Sequence, residues 1–517
     1  MPSYPNEDEV QPCTQGKYVV LVCMVILVSF GIKLQSWTAQ NDIYHNVFIV
    51  SLSTVGIFWL LFIWTDLYLI ADRLNHSLDN PSDVTHKEWT YYTYLKAPHS
   101  YCFYLKVGLT IFCAIHLIST TTLLTQEVYY CSHGSNCFDG LRLVSSIVDL
   151  ISSLVQLIFI QNHSNIIVNR HKNVASFGCM VLIAVALLKW FTTIAVEADF
   201  FPQDDQSELG PISHKLSPLF HHRDKFYQNC PTENIYNINF AKVLPYIDPF
   251  TIEFNFLLAI QWLIIWQHIG HYRETRASDY WTITEAHEIN DEIDELTESI
   301  GFHKSGRGLF AGLFCAIGSL ISLVYYFSAV GNPNLFASIS IFIIWEDLLY
   351  LTSSLLSLLI ASIQLSGLGK STENCVGSTD MMLLFFPLIA FCIRGYIRNL
   401  DVYSVELGPI DHTVEILGVI QPLLQAIFIY FASSKICDTN YLSQHKPGRQ
   451  IITLLIALNL VLWTSGAFRA KAKFQKDDQA HIAQTIFLDI CQPFILFYRY
   501  HSSVCLANIW KIVYSQT

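Results

Sequence analysis

Long apolar runs separated by short polar segments make up most of this chain. They fall at 17–37, 46–71, 98–125, 142–165, 174–198, 245–269, 307–330, 335–366, 380–397, 410–434, 450–468 and 485–513. A helix needs ~20 apolar residues to cross a bilayer, so the pattern predicts an all-α integral membrane protein with twelve transmembrane helices. Between Gly308 and Trp345 there is no charged residue. A run of that length must be two spans, and Gly331, Asn332, Pro333 and Asn334 supply the turn. The run at 380–397 is the shortest. Composition supports this reading: 14% of the 517 residues are charged, against about 25% in soluble domains. The first sixteen residues are polar and acidic and no cleavage pattern follows them, so the first run is expected to be a span, not a signal peptide.

An even number of spans puts both termini on one side. With the termini cytoplasmic, the inner loops hold more Lys and Arg than the outer ones, as the positive-inside rule requires. The expected order is a cytoplasmic N-terminus at 1–16, a six-helix half at 17–270, an acidic linker at 271–305 and a second six-helix half at 306–517. Similar words recur six spans apart. Ile63, Trp64, Asp66 and Leu67 match Ile344, Trp345, Asp347 and Leu348. Gln156 to Ile160 matches Gln425 to Ile429, Ala186 to Trp190 matches Asn459 to Trp463, and Pro249-Phe250 matches Pro493-Phe494. Two repeated halves in parallel orientation are the economical account, and transport proteins are often built this way.

The net charge of −12 argues against nucleic acid as a partner. The fourteen cysteines are scattered, many within apolar runs, and form no metal framework. Cys131 and Cys137 flank five residues of a polar loop; on the outer side that loop is a candidate disulfide site. The sequons at Asn75 and Asn162 fall on the cytoplasmic side, where they go unused. There is no P-loop, no HExxH and no nucleophile with its base, so an enzyme is not expected.

The chemistry lies in polar groups inside the spans. Glu253 follows Pro249 by one helical turn and enters a run with no other charge up to Trp266. A charge near the bilayer centre costs at least ~2.5–3.5 kcal/mol, so such groups face an interior or a water-filled path. His501 stands eight residues after Pro493 and has a side chain that titrates near neutrality. Gln156, Gln425 and Asn459 both donate and accept, which suits ordering water or gluing helices. Asp66 and Asp347 are repeat-related acids, with either a shared role or polar packing; Glu346 and Asp149 belong to the same class. Lys189 lies one turn beyond Ala186 on the same face and is a candidate partner for Glu253; such an ion pair, which would hinder the glutamate as a proton relay, is set against a role for Glu253 in a proton path. Arg499 cannot release a proton and reads as structural. His133, His214, His221 and His222 occupy loops read as extracellular; acid sensing or zinc binding is set against ordinary solvation. Arg469 with Lys471, Lys473 and Lys476 reads as a basic loop, and the acidic run from Glu285 to Glu298 as a solvated helix.

Several of these words resemble the otopetrin family. They are Pro249-Phe250 with Glu253 and Trp266 to Gly270, the stretch Asp489 to Ser502, Gln421 to Ile429, and Asn459 to Trp463. The resemblance covers nearly the whole chain. It implies a proton-selective channel in the plasma membrane, opened by extracellular acid and conducting H+ inward. It also implies zinc as an inhibitor with no resident cofactor, bound lipid or sterol, and a homodimer whose subunits each hold two six-helix barrel-like halves. Of the family's polar clusters, Gln425, Asn459 and His501 match in the second half, and Gln156 and Glu253 in the first. The asparagine expected on the fifth span is Ala186, and the aromatic after the glutamate is Phe254 instead of tyrosine. The alternatives are a proton-coupled solute transporter and a non-conducting membrane scaffold.

Overall fold

In the computed structural model the described residues are 22–29, 31–32, 43–77, 90–95, 99–132, 138–197, 235–270, 280–281, 305–329, 333–371, 375–401, 409–469 and 482–514. By contact density the chain divides into two units, residues 1–97 with 106–298, and 98–105 with 299–517.

The first unit is built from α1 (Ile43–Ser77), β1 (Tyr92–Leu95), α2 (His99–Ser132), α3 (Gly140–His163), β2 (Ile166–Val168), α4 (Lys172–Glu197), α5 (Ile235–His268) and β3 (Tyr280–Trp281). Asp139 caps α3, its side chain accepting from the Leu141 N–H, which satisfies one of the orphan donors of a first turn. α4 packs on α5, and α1 packs on α3 and α4. Close approach of α1 and α4 requires Gly178, because a Cβ there would lie 2.0 Å from the Trp59 ring. Trp59 meets Trp262 edge-on, and Phe159 stacks on the same indole.

The second unit follows with α6 (Gly306–Ala329), α7 (Pro333–Ser366), β4 (Gly369–Lys370), α8 (Ser378–Phe385), α9 (Leu388–Asp401), α10 (Pro409–Ser433), β5 (Lys435–Ile436), α11 (Asn440–His445), α12 (Arg449–Arg469) and α13 (Ile482–Ile512). On α6, Gly308, Gly312, Ser319 and Ser322 are buried, while Phe310, Phe314, Leu320 and Val324 point outward. Small and polar side chains inside with large apolar ones outside is the reverse of a soluble helix, and it suits a lipid surround. The Gly308 position lies 1.9 Å, for an added Cβ, from the Gln450 carbonyl of α12, so no larger residue fits.

Among the described residues, ten helical stretches are long and apolar enough to cross a membrane. The first expected span lies mostly outside the described residues. The last, α13, is 31 residues long but holds too many polar groups to count by hydropathy. Its environment explains this: from Ile495 to Trp510 nearly every residue is buried against other helices, so it does not need an apolar surface. The shortest expected span is two helices. The Phe386 N–H bonds to the Met382 carbonyl, and the chain restarts after Pro387, whose ring nitrogen carries no donor.

Short strands join the helices without changing the all-α class. β1 pairs antiparallel with β2 and β3, and β4 with β5. These strands sit in loops too short to read as strands by periodicity. They recur in both units: the loop after one helix pair joins the loop after the next, and each is tied to the end of the unit's last long helix. Gly270 N–H donates to the Val168 carbonyl in the first unit, and Cys437 N–H to the Val513 carbonyl in the second.

Candidate functional site

One face of α3 is polar along most of its length. Asp149, Ser152, Ser153 and Gln156 recur at i, i+3, i+4 and i+7, which keeps them in one row. On α5, Thr251, Asn255 and Trp262 form a second row at i, i+4 and i+11. The two rows and His116 of α2 meet inside the first unit. His116, 4% exposed, places Nε2 3.3 Å from the Ser153 hydroxyl and 3.4 Å from Asp149 Oδ2. Its Nδ1 is 3.4 Å from the Thr251 hydroxyl, and its ring stacks on Phe254. The Asn255 amide donates to the Thr251 carbonyl at 2.9 Å. Farther along, the Gln156 amide donates to the Ser152 hydroxyl at 2.9 Å, and the Trp262 indole N–H donates to Gln156 Oε1 at 2.8 Å. The result is a file of groups that donate and accept, walled by Phe159, Trp59 and Trp262.

Lys189 of α4 closes one end of this file. Its ammonium bonds to Asp149 Oδ1, so Asp149 lies between a lysine and a histidine. Of the two alternatives for Glu253, the ion pair with Lys189 is not the one formed: a carboxylate on α3 takes the lysine. Glu253 is 1% exposed, and among the described residues neither of its carboxyl oxygens has a hydrogen-bond partner. It shares its face of α5 with Phe256, which stacks on Trp190 of α4. Gln156 bonds instead to Trp262, nine residues beyond Glu253, about 13 Å along the helix and on its opposite side. The structure does not bring Glu253 and Gln156 into one constriction. Ala186 is buried on α4 and offers no side-chain donor.

The second unit gathers a different cluster. Gln421 donates to the Ser354 hydroxyl and to Gln425 Oε1. Gln425 and Asn459 exchange hydrogen bonds at 2.9 and 3.0 Å. Arg499 enters this cluster, donating to Gln421 Oε1 and, at 3.5 Å, to Asn459 Oδ1, with its guanidinium 5.3 Å from the Phe391 ring centre. No carboxylate is among its described partners. His501 was expected with Gln425 and Asn459 but faces elsewhere: its Nε2 lies 3.2 Å from the Asp380 carbonyl and 3.7 Å from Cys505 Sγ, and Phe497 stacks on its ring. Arg499 and His501 are two residues apart, and positions two apart diverge around a helix.

The repeat-related acids each hold an arginine, but the two arginines stand at different places in their units. Asp66 accepts from Arg170 and from the Tyr92 hydroxyl, each at 2.6 Å. Burial and then the Asp66 carboxylate push the Tyr92 phenol up from its ordinary value, so it remains a donor. Asp347 and Glu346 share Arg469, at 2.8 and 2.6 Å, and Ser322 donates to Glu346. Arg170 stands just before α4, whereas Arg469 is the last residue of α12, so Arg469 belongs to a helix and not to a basic loop. Both acids are held in ion pairs.

Other expectations lie outside the described residues: His133, His214, His221 and His222, Lys471, Lys473 and Lys476, and the acidic run from Glu285 to Glu298. Cys131 is an exposed free thiol, and its expected partner Cys137 is likewise outside. Among the described residues no group of His, Cys, Asp and Glu has the arrangement of a metal site. Sequence reading missed His116, Trp262 and the inclusion of Arg499. The spacing of Asp149, Ser152, Ser153 and Gln156 was the available signal for the file; a lone histidine in an apolar run gave none for His116.

The otopetrin family model matches residues 104–215 and 203–500. The chain is 24% identical over 487 residues to the proton channel OtopLc of Drosophila melanogaster, an alignment covering 86% of this chain and 30% of that protein. The chain thus spans about a third of the length of that relative. The family match covers most of the sequence, including α3, α5, α12 and most of α13, and the chain belongs to the otopetrin family.

Proposed function

We propose that this chain is a proton-selective channel and that protons cross the first unit along the file from Asp149 and His116 to Gln156. The observation that carries this reading is the row of hydrogen-bonding groups on α3, of which Asp149 and Ser153 meet His116 while Ser152 and Gln156 lead to Trp262. Hydroxyls, amides and an imidazole pass protons by exchanging hydrogen bonds, which a metal cation cannot do. The fly relative's name supports the same activity. Glu253, buried with no hydrogen-bond partner among the described residues, is a second proton-binding group on the far side of α5; buried acids in membrane spans mark ion and proton paths. The second unit serves as support in this account, because Arg499 sets a fixed positive charge among the amides where a cation would pass. The same reading includes twelve helices in two barrel-like halves, a homodimer in the plasma membrane with cytoplasmic termini, and inward current on extracellular acidification. It also includes inhibition by zinc, with the outer-loop histidines as its ligands.

The test is Gln156→Leu beside Arg499→Gln, at equal surface expression. Gln156→Leu should reduce the acid-evoked current by roughly tenfold or more, since one relay group and its bond to Trp262 are lost. Arg499→Gln should leave a current with unchanged proton selectivity. The opposite ranking places the path in the second unit.

One observation favours a second reading. Pro387 breaks a spanning segment near its middle, as in transporters whose broken helices hold a solute. Saturable, solute-dependent proton flux would favour a proton-coupled transporter.

A further inference from the structure

The helix face that carries Gln156 continues beyond it. Two helical turns farther along the same row of α3 stands His163, the last residue of the helix. Its Nδ1 lies 2.8 Å from the hydroxyl of Tyr94 on β1. Phe159, which stacks on Trp262, has its ring centre 5.1 Å from the His163 ring. The imidazole thus sits beyond the Gln156–Trp262 bond with the Phe159 ring between them, where the helix gives way to the small sheet. That sheet fixes its position: Tyr94 pairs with Ile166 of β2 on one side and Trp281 of β3 on the other, and Gly270 ties β2 to the end of α5. A tyrosine held from both sides keeps its hydroxyl on the histidine.

We propose that His163, positioned by Tyr94, is the group that exchanges protons between the file and the cytoplasmic solution. This rests on the proton-channel reading and on its topology. The step makes and breaks only N–H and O–H bonds. The neutral ring accepts a proton arriving from the file and becomes imidazolium. It then gives up a proton from its other nitrogen to inner water, and the Tyr94 hydroxyl rotates between donating and accepting. Burial pushes the Tyr94 phenol above its ordinary value, so it does not become a competing anion.

The surrounding groups leave this role to the histidine. Lys106 of α2 donates to the Gln161 carbonyl at 2.8 Å. Asp66 of α1 is paired with Arg170 and Tyr92. α5 presents Gln261, bonded to the Ser164 carbonyl, and Trp262, neither of which titrates. Imidazole is the side chain whose ordinary range covers cytoplasmic pH.

The experiment is whole-cell recording with the pipette pH varied between about 6 and 8, the range in which imidazole titrates, at a fixed external acid step. The full chain is compared with His163→Gln and Tyr94→Phe, each corrected for surface expression. For the unaltered chain, conductance should fall as the pipette is acidified, beyond the change in driving force. His163→Gln should lower the conductance roughly tenfold and flatten that internal dependence, while the dependence on external pH persists. Tyr94→Phe, which removes one hydroxyl and keeps the ring, should give a smaller loss in the same direction. If the unaltered chain conducts protons and His163→Gln matches it in conductance and internal pH dependence, this proposal is overturned and the channel reading stands. If the unaltered chain carries no proton current, the channel reading itself fails.

Discussion

Asp149 shows how one residue decides which of its neighbours remain available. It takes the Lys189 ammonium and faces the His116 imidazole, which leaves Glu253 without a basic partner among the described residues. Removing one member of a buried pair strands the other, at about 3–5 kcal/mol when fully buried; Asp149 is 24% exposed, so about 1–3 kcal/mol is expected after screening. Lys189→Met should therefore lower thermal stability in detergent, and adding Asp149→Asn should recover much of it. A double mutant no more stable than Lys189→Met would show that the pair is not coupled. The sequence displayed Lys189 and Glu253 but not this choice, because it depends on which helix faces α4, and hydropathy does not report neighbours. Arg499 and His501 were misjudged for a related reason: two positions apart on α13, they point to different helices.

At the scale of elements, small residues set the helix contacts. Gly178→Ala drives a methyl into the Trp59 ring and should cost about 1–3 kcal/mol, read as a lower melting temperature; an unchanged value would mean that α1 and α4 do not pack as described. Cysteines report the ends of the helices. Cys131, exposed at the end of α2, should react from outside with a membrane-impermeant maleimide, without prior reduction. Labelling only after permeabilisation would reverse the topology, and labelling only after reduction would restore the disulfide with Cys137. Cys375, between β4 and α8, has its thiol pushed up to about 12 by burial, so little thiolate exists near pH ~8 and its labelling should be slow. The helices were legible from their length and apolar composition. The strands were not, since three residues or fewer in β2 to β5 leave no period to read. The break at Pro387 was visible as a proline in the shortest run, but a lone proline does not show whether a helix bends or stops.

For the whole molecule, repetition was readable and its consequences were not. Similar words recur six spans apart, and the same strand-and-tether arrangement closes each unit. Yet the polar interiors have diverged. The first unit holds a histidine, an aspartate and a row of hydroxyls and amides; the second sets amides around an arginine and keeps its buried His501 apart from them. Matching Gln156 to Gln425 suggested equivalent paths, whereas their partners, Trp262 in one case and Asn459 with Gln421 in the other, make them different sites. Partners come from other helices, so a repeat in one helix does not fix them. The most direct test of the whole account is the reversal potential of the current evoked by an external pH drop, with external sodium replaced by a bulky cation. A proton-selective channel predicts a shift of ~59 mV per pH unit for one charge. A reversal potential that stays fixed as pH changes, or that follows another ion or a solute, would contradict it.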